Sequence, residues 1–191
     1  MGYPVIKNEK YTYADYLSWD TNVQYEIIEG VPLAKFPAPN RFHQTVSGNL
    51  FGLIWIYLRG KSCQVFAAPF DVRLAEDDED DESATNIVQP DIVIYCDKNK
   101  LDERGAKGAP DLVIEILSFS TKKLDTQDKF RIYQRAGVKE YWIINPDAKT
   151  IAVYIHNGKT FEAAENFIGN TIIKPSIFED LEVKLSEIFM D

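Results

Sequence analysis

The sequence predicts an α/β protein in which helices flank a mixed β-sheet. Two apolar segments, 87–96 and 110–118, have the composition of buried strands. Segments 40–59 and 125–136 instead carry their apolar residues at helical spacing. The chain has 191 residues, which is ample for one domain and short for two. We therefore expect a single domain over residues 1–191, with helices and strands interleaved.

The remaining elements follow from caps, turns and periodicity. We expect a first helix over 12–20, two strands within 25–35, one or two strands within 65–74, a connecting loop between the two apolar strands, a strand over 140–145, a hairpin of 150–156 with 159–163, and a short helix near 185–189. The hairpin prediction rests on the Asn157-Gly158 pair, which is typical of a type I′ turn.

The net charge of −9 argues against a simple basic nucleic-acid-binding protein. Seven consecutive acidic residues, 76–82, account for most of it, and without them 23 acidic residues face 21 basic ones. A local basic surface therefore remains compatible with the composition. We expect the loop 76–85 to be solvated and mobile. Calcium binding is the alternative, but the run lacks the glycine and the spacing of a calcium loop.

No apolar leader follows Met1, and the longest apolar block, 50–58, is far shorter than the ~18 residues that span a bilayer. These features favour a soluble cytoplasmic protein. Cys63 and Cys96 are the two cysteines, and we expect both to be buried reduced thiols. No CxxC motif is present, which makes a structural zinc site a poor fit.

Glu115 is the first candidate for chemistry. It stands in the middle of a segment whose apolar residues point to both faces, as in a central strand covered on both sides. A buried carboxylate is costly unless a cation or hydrogen bonds compensate it. The alternatives are a buried salt bridge and a role as metal ligand or general base.

Asp91 supplies a second carboxylate from the preceding strand, where it can lie opposite Glu115 at ~5 Å. Asp111 shares a face with Glu115, but four strand residues separate the two by ~13 Å. One ion cannot bridge that distance, so we interpret Asp111 as a residue that starts the strand. Asp91 and Glu115 are therefore the predicted ligands of Mg²⁺ or Mn²⁺.

Lys129 is the predicted catalytic lysine. At 100° per residue it lies in the middle of the apolar stripe of its helix, facing the sheet. The alternative is a lysine that extends to the edge of the helix. Lys122 and Lys123 lie in the loop that connects to this helix, and either phosphate contact or plain solvation fits them.

These residues resemble the Uma-two family, whose members are restriction-endonuclease-type proteins of the PD-(D/E)xK nuclease superfamily. The resemblance runs from about Tyr11 to Phe189, and it rests on motifs within 25–30, 89–93, 109–118, 125–133 and 137–144, together with His43. It implies a restriction-endonuclease-like core, a divalent metal, a DNA substrate and, often, a homodimer. It also implies that Glu26 is a third acidic contributor, the alternative being a surface glutamate at a strand edge.

The chain departs from the superfamily pattern at Leu117, where the last position of ExK would be lysine. Lys129 would then be a migrated replacement. His43 has two interpretations, a structural hydrogen-bonding residue or a contact to phosphate or water.

Three functions remain open at this point. The first is a metal-dependent endonuclease that cleaves DNA. The second is a catalytically inactive module with the nuclease fold that binds nucleic acid or a protein partner, favoured by Leu117 and by the acidic composition. The third is a scaffold whose buried acids form ion pairs. Metal binding separates the third from the first two, and turnover separates the first from the second.

Overall fold

The structure is a computed structural model that describes residues 10–20, 23–35, 39–75, 80–118 and 122–190. Its strands are, in chain order, β1 (Tyr25–Ile28), β2 (Val31–Ala34), β3 (Gln64–Ala67), β4 (Val72–Arg73), β5 (Ile87–Val88), β6 (Ile92–Tyr95), β7 (Leu101–Asp102), β8 (Gly105–Lys107), β9 (Leu112–Ile116), β10 (Glu140–Asn145), β11 (Thr150–Ile155), β12 (Glu165–Ile168), β13 (Ile172–Ile173) and β14 (Val183–Lys184).

The α-helices in the described ranges are α1 (Tyr13–Leu17), α2 (Arg41–Leu58), α3 (Phe130–Ala136) and α4 (Leu185–Ile188), with a π-helix, Leu124–Lys129, leading directly into α3. The side chain of Thr12 caps α1, and that of Asn40 caps α2 by accepting from the backbone N–H of His43 at 2.8 Å. Both caps were predicted and are confirmed. None of these helices has the length and apolar character needed to cross a membrane.

The strands form two six-stranded sheets and one short pair. The central sheet has the order β12-β11-β10-β9-β6-β3, and the second sheet has the order β2-β1-β5-β4-β8-β7. In the central sheet β9 and β10 are parallel while β6 and β9 are antiparallel, so the sheet is mixed, as predicted. Where the sequence predicted one sheet, the structure has two.

The chain passes between the two six-stranded sheets several times, and at two of these crossings a single proline marks the corner. Pro69 separates β3 from β4, and Pro90 separates β5 from β6. The segment 87–96, predicted as one strand, is therefore two short strands in different sheets. A proline has no N–H for the ladder, which makes it a natural corner between sheets.

The two faces of the central sheet belong to different cores. One face carries Ile114 and packs against α2 and α4. The other carries Val113 and packs against α3 and the second sheet. Successive side chains of β9 therefore point into different cores. Since both faces of the sheet are covered, a polar residue of this strand is buried on either face.

Two expectations about loops and hairpins are wrong. The segment expected to be a connecting loop between 96 and 110 contains the antiparallel hairpin β7–β8. The second strand of the last hairpin is Glu165–Ile168 and not 159–163, because after Asn157-Gly158 the chain makes only one bridge, between His156 and Phe161. Strands of two or three residues leave little alternation to detect in a sequence.

The cysteines are not reduced thiols: Cys63 and Cys96 form a disulfide with their Cα atoms 3.9 Å apart. The register of β3 and β6 explains the pairing, because Gln64 lies opposite Tyr95 and the next position outward places the two cysteines face to face. Both cysteines flank strand ends, Cys63 just before β3 and Cys96 just after β6.

The acidic run lies partly outside the described residues, which exclude 76–79. Its last residues begin a short 3₁₀ helix, Asp81–Ser83, and the Nε of the fully buried Arg73 donates to Asp81 Oδ1 at 2.9 Å. Asp102 forms a second ion pair with Arg73. This end of the loop therefore has a structural contact that no sequence pattern predicted, while mobility of the loop stays a prediction.

Candidate active site

Glu115 lies in the middle of β9, all five residues of which are buried. The strand pairs with β10 on one side and β6 on the other, so it is central, as predicted. Glu115 is 3% exposed and shares its face with Val113, toward α3 and the second sheet. Its carboxylate must therefore be compensated inside the protein.

Asp91 lies just before β6, opposite Glu115 when the register of β6 and β9 is continued by one position from the Ile92–Ile114 pair. The backbone N–H of Ile116 donates to Asp91 Oδ2 at 2.7 Å. His43 Nε2, from the first turn of α2, lies 3.3 Å from the same oxygen. These contacts attach the Asp91 carboxylate both to β9 and to α2.

Lys129 ends the π-helix and is 3% exposed. Its Nζ donates to Glu115 Oε1 at 2.9 Å and lies 3.0 Å from Glu26 Oε1 and 3.6 Å from Asp125 Oδ1. The predicted inward direction of this lysine is confirmed. Three carboxylates thus surround one ammonium group.

Glu26 reaches the site from β1 of the second sheet. It is 2% exposed, and its Oε1 accepts from the backbone N–H of Gln89 at 2.7 Å. The interpretation of Glu26 as a surface glutamate is therefore wrong. The structure brings Glu26 together with Asp91, Glu115 and Lys129, the four residues that the sequence singled out; their catalytic and metal-binding roles stay predictions.

Burial raises the pKa of Glu115 to about 8. Lys129 lowers this pKa, while the nearby carboxylates of Asp125, Asp91 and Glu26 raise it further. Without a further cation near it, Glu115 therefore tends to keep its proton at neutral pH.

The pKa values of Lys129 and Asp91 shift in opposite directions. Burial disfavours the charged form of Lys129 and lowers its pKa. The opposite effect of the nearby carboxylates is larger and raises this pKa well above its ordinary value; they belong to Glu115, Glu26 and Asp125. Burial also disfavours ionised Asp91, but the hydrogen bond and charge of His43, with smaller contributions that include Lys129, lower its pKa. Lys129 is therefore charged and Asp91 ionised at neutral pH.

Two residues of the cluster were not singled out from the sequence as functional. Asp125 contacts Lys129, and the Tyr133 hydroxyl donates to Glu115 Oε1 at 2.8 Å. Asp125, Lys129 and Tyr133 recur every four residues, and this spacing on a single helix face was the signal available. The hydroxyl of Tyr141 donates to the backbone carbonyl of Asp125 at 2.9 Å, inside the π-helix where the regular α-helical ladder is interrupted.

Asp111 has the structural role that was predicted for it. It precedes β9, where Oδ2 accepts from the N–H of Cys96 at 2.7 Å and Oδ1 accepts from Lys139 at 2.6 Å. Lys122 and Lys123 are exposed, and they lie in a helical turn ahead of the π-helix and not in a loop as expected.

A divalent ion is compatible with these residues, although the described ranges contain no preformed group of three or more His, Cys, Asp or Glu arranged as a metal site. Asp91 and Glu115 face each other across adjacent strands, and Mg²⁺ is commonly held by one or two carboxylates with water and substrate oxygens. The cluster also carries more carboxylates than cations, and Nδ1 of the buried His43 has no hydrogen-bond partner among the described residues. The donor set therefore fits a hard cation.

Comparison with solved structures assigns the fold. The chain is similar to a protein from Anabaena variabilis ATCC 29413, whose crystal structure is described as that of a putative nuclease belonging to DUF820. The TM-score is 0.73 at 21% sequence identity, over 93% of this chain and 97% of the other. The fold is that of a nuclease-like protein.

Sequence comparison then gives the family. The model of the Uma2 (Uma-two) family, described as "Putative restriction endonuclease", matches residues 13–186, and the chain belongs to this family. An uncharacterised protein of Synechocystis sp., slr1290, is 24% identical over 146 residues, which cover 75% of this chain and 73% of the other. Family membership supports a nuclease function.

Proposed function

We propose that this protein is a divalent-metal-dependent endonuclease that hydrolyses DNA phosphodiester bonds. Membership of the Uma2 family supports the reaction class. The observation that carries the proposal is the buried cluster in which Lys129 contacts Glu115, Glu26 and Asp125, with Asp91 opposite Glu115.

The charge of the cluster favours a bound cation. When all are ionised, its four carboxylates exceed the single charge of Lys129 by three, or by two when His43 beside Asp91 is protonated. Buried charges of one sign are costly unless a cation or a proton intervenes, and the raised pKa of Glu115 reflects that cost. A scaffold stabilised only by ion pairs would be expected to balance these charges more closely.

Asp91 and Glu115 would hold the ion, which in this setting would be Mg²⁺ or Mn²⁺. When bound, the ion would polarise a phosphoryl oxygen and acidify the attacking water. The Ile116 N–H and His43 orient the Asp91 carboxylate, and the Tyr133 hydroxyl orients that of Glu115. These partners fix both ligand side chains in advance of binding.

Lys129 supplies the positive charge that a phosphodiesterase needs where negative charge develops on the phosphoryl and leaving oxygens. The ammonium group of Lys129 lies at the Glu115 carboxylate. Lys129 would therefore take the place of the lysine that is missing at position 117. Glu26 and Asp125 hold the ammonium in position. Removing one preorganised charge contact of this kind costs ~10²–10³ in rate.

The direct test is incubation of the purified protein with plasmid DNA and Mg²⁺ or Mn²⁺, with EDTA as the control. We expect nicked or linear DNA with metal and none with EDTA, and no cleavage by Glu115→Gln. Asp147→Asn, which alters an exposed acid in the turn between β10 and β11, should cleave like the native protein. DNA binding without cleavage under any metal condition would instead indicate the inactive binding module.

A further inference from the structure

The charged side chains of the site differ sharply in how far they reach solvent. The side chains of Glu26, Glu115, Asp125 and Lys129 are 2–4% exposed. Two charged side chains near them are more open: Asp91, which lies opposite Glu115, is 18% exposed, and Lys35, beside Glu26, is 31% exposed. The cluster is therefore closed on most sides and accessible where Asp91 and Lys35 lie.

The hairpin β1–β2 places Lys35 at this opening. The backbone N–H of Lys35 donates to the carbonyl of Gln24 at 2.9 Å, which extends the ladder one position past β2. Glu26 pairs with Leu33, and alternation puts the Lys35 side chain on the same face as the Glu26 side chain. Lys35 Nζ lies 3.9 Å from Glu26 Oε1 and donates to the carbonyl of Gln89 at 3.2 Å, two residues before Asp91.

We propose that Lys35 binds a backbone phosphate of the DNA substrate at the opening of the active site. The inference rests on the proposed nuclease function and identifies a positively charged group that binds the anionic substrate at the opening. With His43 neutral, the four carboxylates and Lys129 leave three negative charges, and a divalent ion leaves one. Lys35 cancels the last, so a phosphodiester meets a neutral site and not a repulsive one.

Glu26 does not need Lys35 as a structural partner. Glu26 Oε1 already has Lys129 at 3.0 Å and the Gln89 N–H at 2.7 Å, both closer than Lys35. An ammonium group has three donors, and the Gln89 carbonyl takes one. A partly exposed lysine with donors to spare, held beside buried acids, has the properties of a phosphate-contacting residue.

The test measures DNA affinity separately from cleavage. A fluorescent duplex is titrated with protein over a series of salt concentrations, with Ca²⁺ in place of Mg²⁺ to suppress turnover. The variants are Lys35→Gln, Lys35→Arg and, as the matched control, Lys184→Gln, which removes an exposed lysine paired with Glu187 outside the site. Thermal melts run in parallel show that each variant is folded.

We expect Lys35→Gln to weaken binding roughly tenfold at low salt and to reduce the slope of log affinity against log salt by about 0.9, the value of one phosphate contact. Lys35→Arg should restore the slope, and Lys184→Gln should leave it unchanged. A merely structural Lys35 would alter the melting temperature and not the slope. If the native protein binds DNA and Lys35→Gln has the native slope, the role of Lys35 is wrong while the nuclease function stands. If the native protein neither binds nor cleaves DNA, both proposals fail.

Discussion

Asp91 lies opposite Glu115 across two antiparallel strands, although the chain reaches Asp91 directly from the other sheet. Gln89 still donates its N–H to Glu26 in the second sheet, and after Pro90 the carboxylate of Asp91 already accepts from Ile116 in the central sheet. The backbone corner at Pro90 thus connects the residue that contacts Glu26 with the residue that lies opposite Glu115.

Asp91→Ala should remove most of the affinity for Mn²⁺, because Glu115 alone offers one carboxylate to an ion that needs at least one more anchor. Calorimetric titration of the native protein and the variant measures this. Asp147→Ala serves as the control, since it deletes an exposed acid outside the site. Equal Mn²⁺ binding by the native protein and Asp91→Ala would place the ion elsewhere.

Lys129→Met should reduce cleavage by ~10²–10³. The structure adds an effect on stability, because three carboxylates lose their shared cation in a buried setting, which costs about 3–5 kcal/mol in comparable cases. We therefore expect a lower melting temperature in EDTA that Mn²⁺ partly restores. Lys129→Arg, which keeps the charge, should fold well and still cleave poorly. If Lys129→Arg and Lys129→Met both cleave like the native protein, Lys122 or Lys123 becomes the better candidate.

The pKa of Glu115 makes the metal-free protein less stable as the pH rises. Its folded-state pKa of about 8 exceeds the ordinary value of 4.5, so between these values the folded state keeps a proton that the unfolded state has lost. The free energy of unfolding then falls with rising pH, by up to about 1.4 kcal/mol per pH unit. Below this window both states hold the proton, and above it both have released it, so the dependence flattens at each end.

Thermal melts in EDTA across this window test the pH dependence, with Glu115→Gln as the comparison. The variant should lose most of the slope, and the rest belongs to groups such as His43, whose raised pKa acts in the same direction. Mn²⁺ affinity should rise over the same window, because binding displaces the Glu115 proton. Parallel pH profiles for the native protein and Glu115→Gln would show that the carboxyl is ionised throughout.

Asp81→Ala should destabilise the fold by about 1–3 kcal/mol, because it takes one of two carboxylate partners from the buried Arg73. Glu82→Ala is the matched control, since Glu82 is exposed and lies 3.8 Å from the equally exposed Arg104. Urea unfolding of both variants gives the comparison. If Asp81→Ala is as stable as Glu82→Ala, the end of the acidic run is dispensable, as the charge pattern alone suggested.

The resemblance to restriction-endonuclease-type proteins also predicts a homodimer, which would place two active sites across two DNA strands. Sedimentation equilibrium at micromolar concentrations should give twice the mass of one chain. The mass of a single chain over the whole concentration range would rule the dimer out.

The strongest predictions from the sequence were those in which one residue contradicts a regular pattern. Glu115 interrupts an apolar strand and Lys129 interrupts an apolar helix face, so both could be identified without knowledge of the fold. The interpretation of Glu26 as a surface residue failed because its burial depends on the position of β1 inside the second sheet, between β2 and β5, and on the contact of Glu26 with Lys129. The Cys63–Cys96 pairing was missed for a related reason, since only the register of β3 against β6 shows that the two residues meet.

The division of the strands between two sheets was missed because it depends on corners and not on periodicity. Segment 87–96 has the apolar content of one strand, and Pro90 does not by itself indicate a change of sheet. Strands β7 and β8 are too short for an alternation of apolar and polar residues to be recognised in the sequence. Asp125 and Tyr133 were within reach, because they share the helix face of Lys129, but an acid and a tyrosine at the edge of an apolar stripe are common on ordinary helices.

The placement of Glu26 in one sheet and Glu115 in the other, with Lys129 between them, limits how this protein can be shortened or recombined. A fragment limited to the central sheet and its helices would keep Asp91, Glu115 and Lys129 but would lose Glu26 and Lys35 together, since both belong to the β1–β2 hairpin segment. Lys129 would lose its contact with Glu26, and the opening of the active site would lose the positive charge of Lys35. Grafting this site onto another scaffold would therefore require both layers, and trimming the N-terminal hairpin would remove Glu26 and Lys35 together with β1, all four residues of which are buried.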